Sequence, residues 1–272
     1  MRFKLPAAFL QTLLDLVFPP RCVYCGRMGS YLCDDCWNLA SPVGPEICIR
    51  CGNPLTRRGI CHHCRQNPPD PIRGIRGVFF YNGPIAQGIR SLKYHGVQAL
   101  APVLAQPLIT YVQEHPIPID GIVPVPLHRK KLAQRGFNQS LLLARNVATA
   151  LDIPLRDDLI WRSRATAPQA QLGRKERLSN VAGAFSPQEG AALQGETILL
   201  IDDVATTGST LRSCAQALRQ LGAGDIWALT VARAHSHTVL DTTSTNISAA
   251  EAFLLWDAHR RAQDPDPTPS LI

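Results

Sequence analysis

The chain has 272 residues, 45% of them hydrophobic, and a formal net charge of +7 at pH 7. Its length suits about two domains, and its apolar content is sufficient to bury a sizeable core. The positive charge makes phosphate, pyrophosphate or nucleic acid a reasonable partner. Many soluble domains are mildly basic, however, so the charge by itself excludes no class of function.

The first residues carry an apolar, helix-like pattern that ends at Pro19 and Pro20. We predict an amphipathic helix over residues 1–20 that packs on the following module or on a partner. The apolar run is too short to cross a bilayer and lacks the small-residue cleavage site of a signal peptide, so we expect no transmembrane segment and a cytoplasmic protein. A membrane-surface role is the alternative, which the two cations Arg2 and Lys4 support only weakly.

Eight of the nine cysteines fall in four Cys-x-x-Cys pairs. In a chain without a secretory signal, such pairs are more often metal ligands than disulfides. Four thiolates close a tetrahedral Zn²⁺ site, so eight predict a small double zinc ribbon over residues 21–70 with about two structural ions. These ions should supply most of the folding free energy of the module. The predicted zinc ligands are Cys22, Cys25, Cys33, Cys36, Cys48, Cys51, Cys61 and Cys64.

The spacing leaves the pairing of these ligands open. The simplest assignment is sequential, with the first four cysteines on one ion and the last four on the other, but a cross-braced arrangement also agrees with the sequence. Redox Cys-x-x-Cys pairs are a competing interpretation, which four copies without a thioredoxin-like βαβ pattern disfavour. His62 and His63 could ligate, but we expect them to be bystanders because eight thiolates are available. The ninth cysteine, Cys214, is expected to be a small packing residue.

Strands and helices follow a turn at residues 67–71. The alternating aromatic run at residues 77–81 predicts a strand, and a helix begins at Pro84. A second helix is expected over about residues 99–113. Residues 119–125 then predict the first strand of a βα unit.

A basic segment follows this strand. Its four cations could neutralise a pyrophosphate at the carboxyl end of the strand. They are Arg129, Lys130, Lys131 and Arg135. A solvated basic loop is the alternative, because that is the usual role of a charge run. Asn138 can cap the helix that comes next, which favours a site over a plain loop.

Residues 198–210 carry the clearest chemical signal. Residues 198–201 are a short apolar run typical of a strand buried on both faces of a parallel sheet. Asp202 and Asp203 stand at its end, and hydroxylated residues and a helical pattern follow. The start of such a helix suits a phosphate, while the two acids suit ribose hydroxyls or water on Mg²⁺. Residues 225–232 predict a further strand of the same sheet.

Residues 202–210 resemble the phosphoribosyl pyrophosphate (PRPP) binding loop of type I phosphoribosyltransferases, because the strand, the acidic pair and the Thr-Thr-Gly-Ser-Thr run occur together in the same order. An ordinary strand end with an N-capping Thr or Ser is the alternative. The resemblance implies that PRPP binds together with Mg²⁺. The predicted PRPP-binding residues are Asp202, Asp203, Ala205, Thr206, Thr207, Gly208, Ser209 and Thr210.

Further motifs are similar to those of the ComF family. They are Leu92-Lys93-Tyr94, Pro124-Val125-Pro126, Arg135-Gly136-Phe137-Asn138-Gln139, Thr166-x-x-Gln169-x-x-Leu172 and Glu176-Arg177-x-x-Asn180-Val181. The resemblance covers roughly residues 10–235. It implies a zinc ribbon followed by an α/β domain over residues 71–236, with the parallel sheet and flanking helices of a type I phosphoribosyltransferase. A polar extension at residues 237–272 departs from the family pattern and has no assigned role.

Carried onto this sequence, the family's chemistry gives Asp202 and Asp203 the catalytic task of holding the ribose hydroxyls. Mg²⁺ would bridge ribose and pyrophosphate oxygens. A flexible hood over about residues 161–180 would close on PRPP and exclude water, and an ordinary surface loop is the alternative. The predicted pyrophosphate ligands are Lys93, Arg129, Lys130 and Arg135.

Three functions agree with these features. The first is a phosphoribosyltransferase that transfers the phosphoribosyl group to an unknown nitrogen acceptor and releases pyrophosphate. The second is a DNA-handling factor of natural competence that acts on single-stranded DNA together with DNA-uptake proteins, as the resemblance to the ComF family implies. Basic loops and a zinc ribbon suit such a surface. The third is a PRPP-sensing regulator that uses the same pocket without turnover.

Overall fold

A computed structural model describes residues 19–67, 71–164 and 183–234. The predicted N-terminal helix lies almost entirely outside the described residues, as do the family motifs of the predicted hood and the extension at residues 237–272. Within the described ranges, every helix is too short or too polar to cross a bilayer.

The cysteine-rich module contains two short helices, α1 (Asp34–Trp37) and α2 (His62–Gln66). Each helix carries one buried cysteine, Cys36 or Cys64. Two separate clusters form the interior of the module, and their fully buried members are cysteines and Leu32. So little apolar surface cannot hold a fold in water, which agrees with the prediction that metal binding supplies most of the folding free energy.

A four-stranded parallel sheet and a small antiparallel pair form the second part of the chain. In chain order the strands are β1 (Gly74–Phe80), β2 (Gly121–Pro124), β3 (Ile160–Arg162), β4 (Phe185–Pro187), β5 (Ile198–Ala205) and β6 (Ile226–Arg233). The parallel sheet has the spatial order β1-β6-β5-β2, and β3 pairs with β4. Leu200 lies at the centre, between Val123 and Ala228. The apolar runs of β5 and β6 are buried on both faces, as expected for a parallel sheet.

Helices cover both faces of this sheet. They are α3 (Gly83–Tyr94), α4 (Leu100–Glu114), α5 (Arg129–Arg135), α6 (Gln139–Leu151) and α7 (Ser209–Gln220). Successive side chains of a strand point to opposite faces. Accordingly, Leu199 and Ile201 pack with α3, α4 and α6, whereas Ile198 and Leu200 pack with α7. Cys214, which belongs to α7, is fully buried in the apolar cluster on this side of the sheet, and so has the packing role predicted for it.

The cysteine-rich module covers the outer edge of β1. Three backbone hydrogen bonds join them: Val43 N–H to the Val78 carbonyl at 2.9 Å, Phe80 N–H to the Ser41 carbonyl at 2.8 Å and Ile75 N–H to the Arg50 carbonyl at 2.9 Å. An uncovered edge strand would offer these groups to another chain. The module therefore completes the sheet on the side opposite β2.

The structure corrects two local expectations. Asp202 and Asp203 do not stand beyond the strand, because β5 continues through Ala205 and keeps its pairing with β6. The basic segment is not a loop but the helix α5. That helix is capped at both ends: His128 Nδ1 accepts from the Lys130 N–H at 3.2 Å, and Gly136 adopts the left-handed conformation that ends a helix.

Asn138 caps α6 as predicted, and its removal gives the first test. Its Oδ1 accepts from the Ser140 N–H at 3.1 Å, and its Nδ2 donates to the Val125 carbonyl at 3.1 Å. We expect Asn138→Ala to lower the free energy of unfolding by about 1 kcal/mol or more, the usual cost of losing an N-cap. Urea denaturation followed by circular dichroism measures this change.

The matched control is Asn146→Ala, in the middle of the same helix. Asn146 donates to the Leu142 carbonyl and caps no helix end. Alanine has the higher helix propensity, so stability should change little or rise by a few tenths of a kcal/mol. Equal losses for the two variants would contradict the capping role of Asn138.

Candidate functional site

Two adjacent carboxylates form the centre of the candidate site. Asp202 and Asp203 lie in β5 and are only 8% and 3% exposed. The first two residues of α6 bind them: Ser140 Oγ donates to Asp202 Oδ1 at 2.7 Å, and Gln139 Nε2 donates to Asp203 Oδ1 at 3.2 Å. Buried carboxylates require such partners. The N-terminus of α6 therefore fixes the orientation of both acids.

Lys93, at the end of α3, forms an ion pair with Asp203. Burial and the Asp203 charge raise the pKa of Asp202 to about 7. Burial alone would raise the pKa of Asp203 as well, but the Lys93 ammonium lowers it below its ordinary value. For Lys93 itself, burial opposes the charge and the Asp203 carboxylate outweighs it, so that its pKa is raised. At neutral pH, Asp203 is ionised beside a charged Lys93, while Asp202 is near its titration midpoint.

Two further cations, Lys131 and Arg162, lie near this network: Lys131 is close to Lys93, and Arg162 is close to Asp202. Burial lowers the pKa of Lys131, and the charges of Arg162, Arg135 and Lys93 lower it further. Burial also lowers the pKa of Arg162, while the Asp202 carboxylate acts in the opposite direction. Three separate segments thus bring four cations into this area, and two of them, Lys93 and Arg162, interact with the acids themselves. The sequence analysis counted Lys131 among the four cations of the basic segment but left it out of the predicted pyrophosphate ligands, and it placed Arg162 only within the predicted hood. Neither residue stands in one of the family motifs.

The four residues predicted to bind pyrophosphate divide into two groups. Lys93 contacts Asp203, and Arg135 donates to Gln139 Oε1, so both belong to the network around the acids. Arg129 and Lys130 are exposed on α5. The Arg129 guanidinium lies 5.9 Å from the centre of the Trp161 ring. Their role in pyrophosphate binding stays a prediction.

The hydroxyl-rich loop at residues 206–210 leads directly from β5 into α7. Gly208 is the N-cap of α7 with φ of 76°, and a Cβ there would lie 2.6 Å from Ile75 Cδ1, so glycine is required. The first turn of α7 contains no acidic residue. Unneutralised N–H groups at a helix start favour an anion. The loop borders a small, partly open depression lined by Asp202, Val204, Ala205, Thr206, Gly208, Ser209, Thr210 and Leu211.

The eight cysteines of the Cys-x-x-Cys pairs form two groups in sequential order. The first contains Cys22, Cys25, Cys33 and Cys36, and the second contains Cys48, Cys51, Cys61 and Cys64. The four sulfur atoms of each group lie within 4.8 Å of one another, and none of the nine cysteines forms a disulfide. A tetrahedral site with Zn–S bonds of about 2.3 Å places its sulfur atoms about 3.8 Å apart. The two groups therefore fit structural zinc, and the cross-braced arrangement is excluded.

Sulfur atoms within each group lie at close to the spacing that zinc requires. The Sγ–Sγ distances are 3.6 Å for Cys25–Cys33 and 3.7 Å for Cys51–Cys61, close to the tetrahedral value. Burial raises the pKa of Cys48, but backbone N–H groups lower it to about 6, which favours the thiolate. The rings of His62 and His63 approach Gln66 and Asn67 and belong to neither group.

Comparisons with known proteins agree with this arrangement. The double zinc ribbon domain model matches residues 13–65, and the phosphoribosyl transferase domain model matches residues 138–253. The chain resembles a solved structure of adenine phosphoribosyltransferase from Saccharomyces cerevisiae at 18% identity, covering 49% of this chain and 70% of that one. The TM-score of 0.32 is too low for this likeness to add to the assignment.

Curated relatives match most of the chain. The DNA utilization protein YhgH of Escherichia coli K12 is 32% identical over 229 residues, which is 79% of this chain and 98% of that protein. Competence protein F of Haemophilus influenzae is 30% identical over 228 residues, or 79% and 97% of the two chains. With two sequential four-cysteine groups ahead of a parallel α/β sheet, this chain belongs to the ComF family, in which a double zinc ribbon precedes a phosphoribosyltransferase domain.

Proposed function

We propose that the chain binds PRPP with Mg²⁺ and transfers its phosphoribosyl group to a nitrogen acceptor, releasing pyrophosphate. One observation carries this proposal: a buried acidic pair, paired with Lys93, leads within a few residues into an open, hydroxyl-rich helix start. Sugar hydroxyls, a phosphate and a pyrophosphate each find matching chemistry within this small area.

The roles follow from charge and hydrogen-bonding capacity. In the proposed complex, the loop at residues 206–210 receives the 5-phosphate, because hydroxyls and helix N–H groups are donors. Asp202 and Asp203 accept hydrogen bonds from the ribose hydroxyls. Mg²⁺, when bound, offsets the negative charge of the pyrophosphate oxygens. Lys93, which pairs with Asp203, would be shared with an arriving pyrophosphate.

The proposed reaction depends on stabilising the leaving pyrophosphate, and the nucleophile comes from the acceptor and not from the protein. A nitrogen of the acceptor forms a bond to C1 of the ribose as the C1–O bond to pyrophosphate breaks, through an oxocarbenium-like state. Negative charge develops on pyrophosphate, so fixed cations lower the barrier. Beside the predicted Lys93 and Arg135, the half-buried Lys131 and Arg162 would contribute to this field.

A DNA-handling role is the second candidate. The relatives are named for DNA utilization and competence. In this chain, two exposed aromatic rings near the site have an arginine over them: Arg135 lies 5.4 Å from the centre of the Tyr94 ring, and Arg129 lies 5.9 Å from that of Trp161. Exposed aromatic rings next to cations bind single-stranded nucleic acid by stacking. Under either proposal the protein acts in the cytoplasm.

The first test removes both charges of the acidic pair. Asp202→Asn with Asp203→Asn should weaken PRPP binding in the presence of Mg²⁺ by at least about tenfold, because hydrogen bonds to charged groups contribute about 1.5–3 kcal/mol each. Isothermal titration calorimetry measures the affinity, and circular dichroism verifies the fold. Pyrophosphate release that requires an added nucleobase should disappear in the same variant.

The matched control is Asp225→Asn, since Asp225 is exposed and pairs with Arg73 at 3.8 Å, outside the site. Its affinity for PRPP should equal that of the wild type. Unchanged affinity in the Asp202 and Asp203 double variant would refute the proposed site. PRPP binding without pyrophosphate release for any nucleobase would instead favour the sensing alternative.

The raised pKa of Asp202 predicts a pH-dependent affinity. With a pKa of about 7, Asp202 is largely protonated at pH 6 and largely ionised at pH 8. Since the ionised form is the better acceptor for ribose hydroxyls, PRPP affinity should rise over this range by up to about tenfold. Asp202→Asn should retain only the smaller change that comes from the ligand's own phosphates. Parallel profiles for the two proteins, measured by calorimetry, would contradict this assignment.

The DNA-handling candidate predicts a different loss. Trp161→Ala should weaken binding of a fluorescent single-stranded oligonucleotide by about tenfold, because stacking on an aromatic ring contributes about 1–3 kcal/mol per base. PRPP affinity should not change. Tyr24→Ala, which removes an exposed ring of the cysteine-rich module, is the control. Equal binding by wild type and Trp161→Ala in fluorescence anisotropy would exclude stacking at this position.

A further inference from the structure

A buried arginine at the end of β6 has no carboxylate partner among the described residues. Arg233 is only 2% exposed. The ion pairs formed between described residues do not include it. A guanidinium stays charged in proteins, and a buried charge is costly unless an opposite charge compensates it. Some other group must therefore stabilise Arg233.

The guanidinium lies on the turn that follows Cys51, within the second cysteine group. Nε and Nη2 of Arg233 both donate to Asn53 Oδ1, the first of them at 3.1 Å. A Cβ on Gly52 would lie 3.4 Å from Nη1, so the third nitrogen faces the backbone of the same turn. Within the described part of the chain, Nη1 has no hydrogen-bond partner. Asn53 also accepts from the Cys48 N–H at 2.8 Å through its carbonyl, which ties this turn to a second ligand.

The charges around Arg233 identify the compensating group. Asn53, whose side chain accepts from the guanidinium, lies two residues after Cys51, and its carbonyl accepts from the Cys48 N–H, so the second cysteine group is next to this charge. Four thiolates around one Zn²⁺ carry a net charge of about −2, by the ligand chemistry of such sites. The second cysteine group with its ion is thus the negative charge that this buried guanidinium faces.

We propose that Arg233 is a positioning residue for the second zinc centre, whose net negative charge it compensates from inside the sheet. The role is independent of the proposed transferase activity. It makes the second zinc centre part of the packing between the cysteine-rich module and β6. The second zinc centre is also close to the candidate site. Arg233 of β6 lies opposite Ala205 of the neighbouring strand β5, and the hydroxyl-rich loop begins directly after Ala205.

Within residues 19–67, 71–164 and 183–234, Arg233 is the only buried arginine, so the first zinc centre has no such support there. Arg27 is near Cys25 and Cys33, but its guanidinium is fully exposed and pairs with the exposed Asp35. Water screens this charge, so it contributes little to the thiolates. Arg27 and Arg233 therefore make a useful comparison: each is an arginine near one cysteine group, but only Arg233 is buried.

The test uses the zinc-loaded full-length chain. EDTA removes zinc, N-ethylmaleimide traps the released thiols, and peptide-resolved mass spectrometry reports the two cysteine groups separately. In Arg233→Met, alkylation of Cys48, Cys51, Cys61 and Cys64 should be about 10-fold faster or more, the usual effect of losing a group that supports metal ligands. Alkylation of Cys22, Cys25, Cys33 and Cys36 should keep its wild-type rate. Arg27→Met should change neither group.

Arg233→Lys separates charge from packing. It retains the positive charge but loses the planar contact with Asn53, so the second cysteine group should be alkylated at a rate between those of the wild type and Arg233→Met. If lysine and methionine gave the same rate, charge compensation would be wrong. The proposal would also be overturned if Arg233→Met left the second group unchanged, or accelerated both groups equally, as general unfolding would do.

Discussion

The burial of two neighbouring carboxylates is the constraint around which the α/β domain is arranged. Asp202 and Asp203 lie in a central strand, where an isolated charge would be strongly destabilising. Their partners come from distant parts of the chain: Lys93 at the end of α3 and Gln139 and Ser140 at the start of α6. The acids thus bring two helix ends to the carboxyl edge of the sheet. The candidate site lies where these ends meet the hydroxyl-rich loop.

The charge balance of this edge explains why a polyanion suits it. The acidic pair is outnumbered by the cations Lys93, Lys131 and Arg162, with Arg135 held beside them through Gln139. Burial lowers the pKa of Lys131, and the neighbouring charges of Arg162, Arg135 and Lys93 lower it further, so positive charges are crowded together at this edge. A pyrophosphate would relieve this repulsion. The same excess charge, with exposed aromatic rings beside it, also suits a nucleic-acid strand.

The cysteine-rich module is a structural part of the sheet rather than an appendage. It supplies the hydrogen bonds that the outer edge of β1 lacks, and its second cysteine group lies against Arg233 of β6. The module has too small an apolar interior to fold by itself, so metal binding and contact with the sheet must act together. The integrity of the two parts is therefore coupled, which gives a physical reason for the combination of zinc ribbon and transferase domain in one family.

Local sequence determined those features that depend on neighbouring residues. The spacing of the cysteine pairs predicted two four-thiolate sites. The apolar run before Asp202 predicted a buried parallel strand, and Asn138 predicted the start of a helix. Tertiary structure alone decided the sequential grouping of the cysteines, the extension of β5 through the acids and the approach of Arg162 to Asp202. The reason is that these features depend on residues 40 to 110 positions apart in the sequence. A carboxylate is stable inside a strand only when such distant residues supply an opposite charge or a hydrogen bond, and a cation is stable beside it for the same reason. No local pattern in the sequence records those contacts.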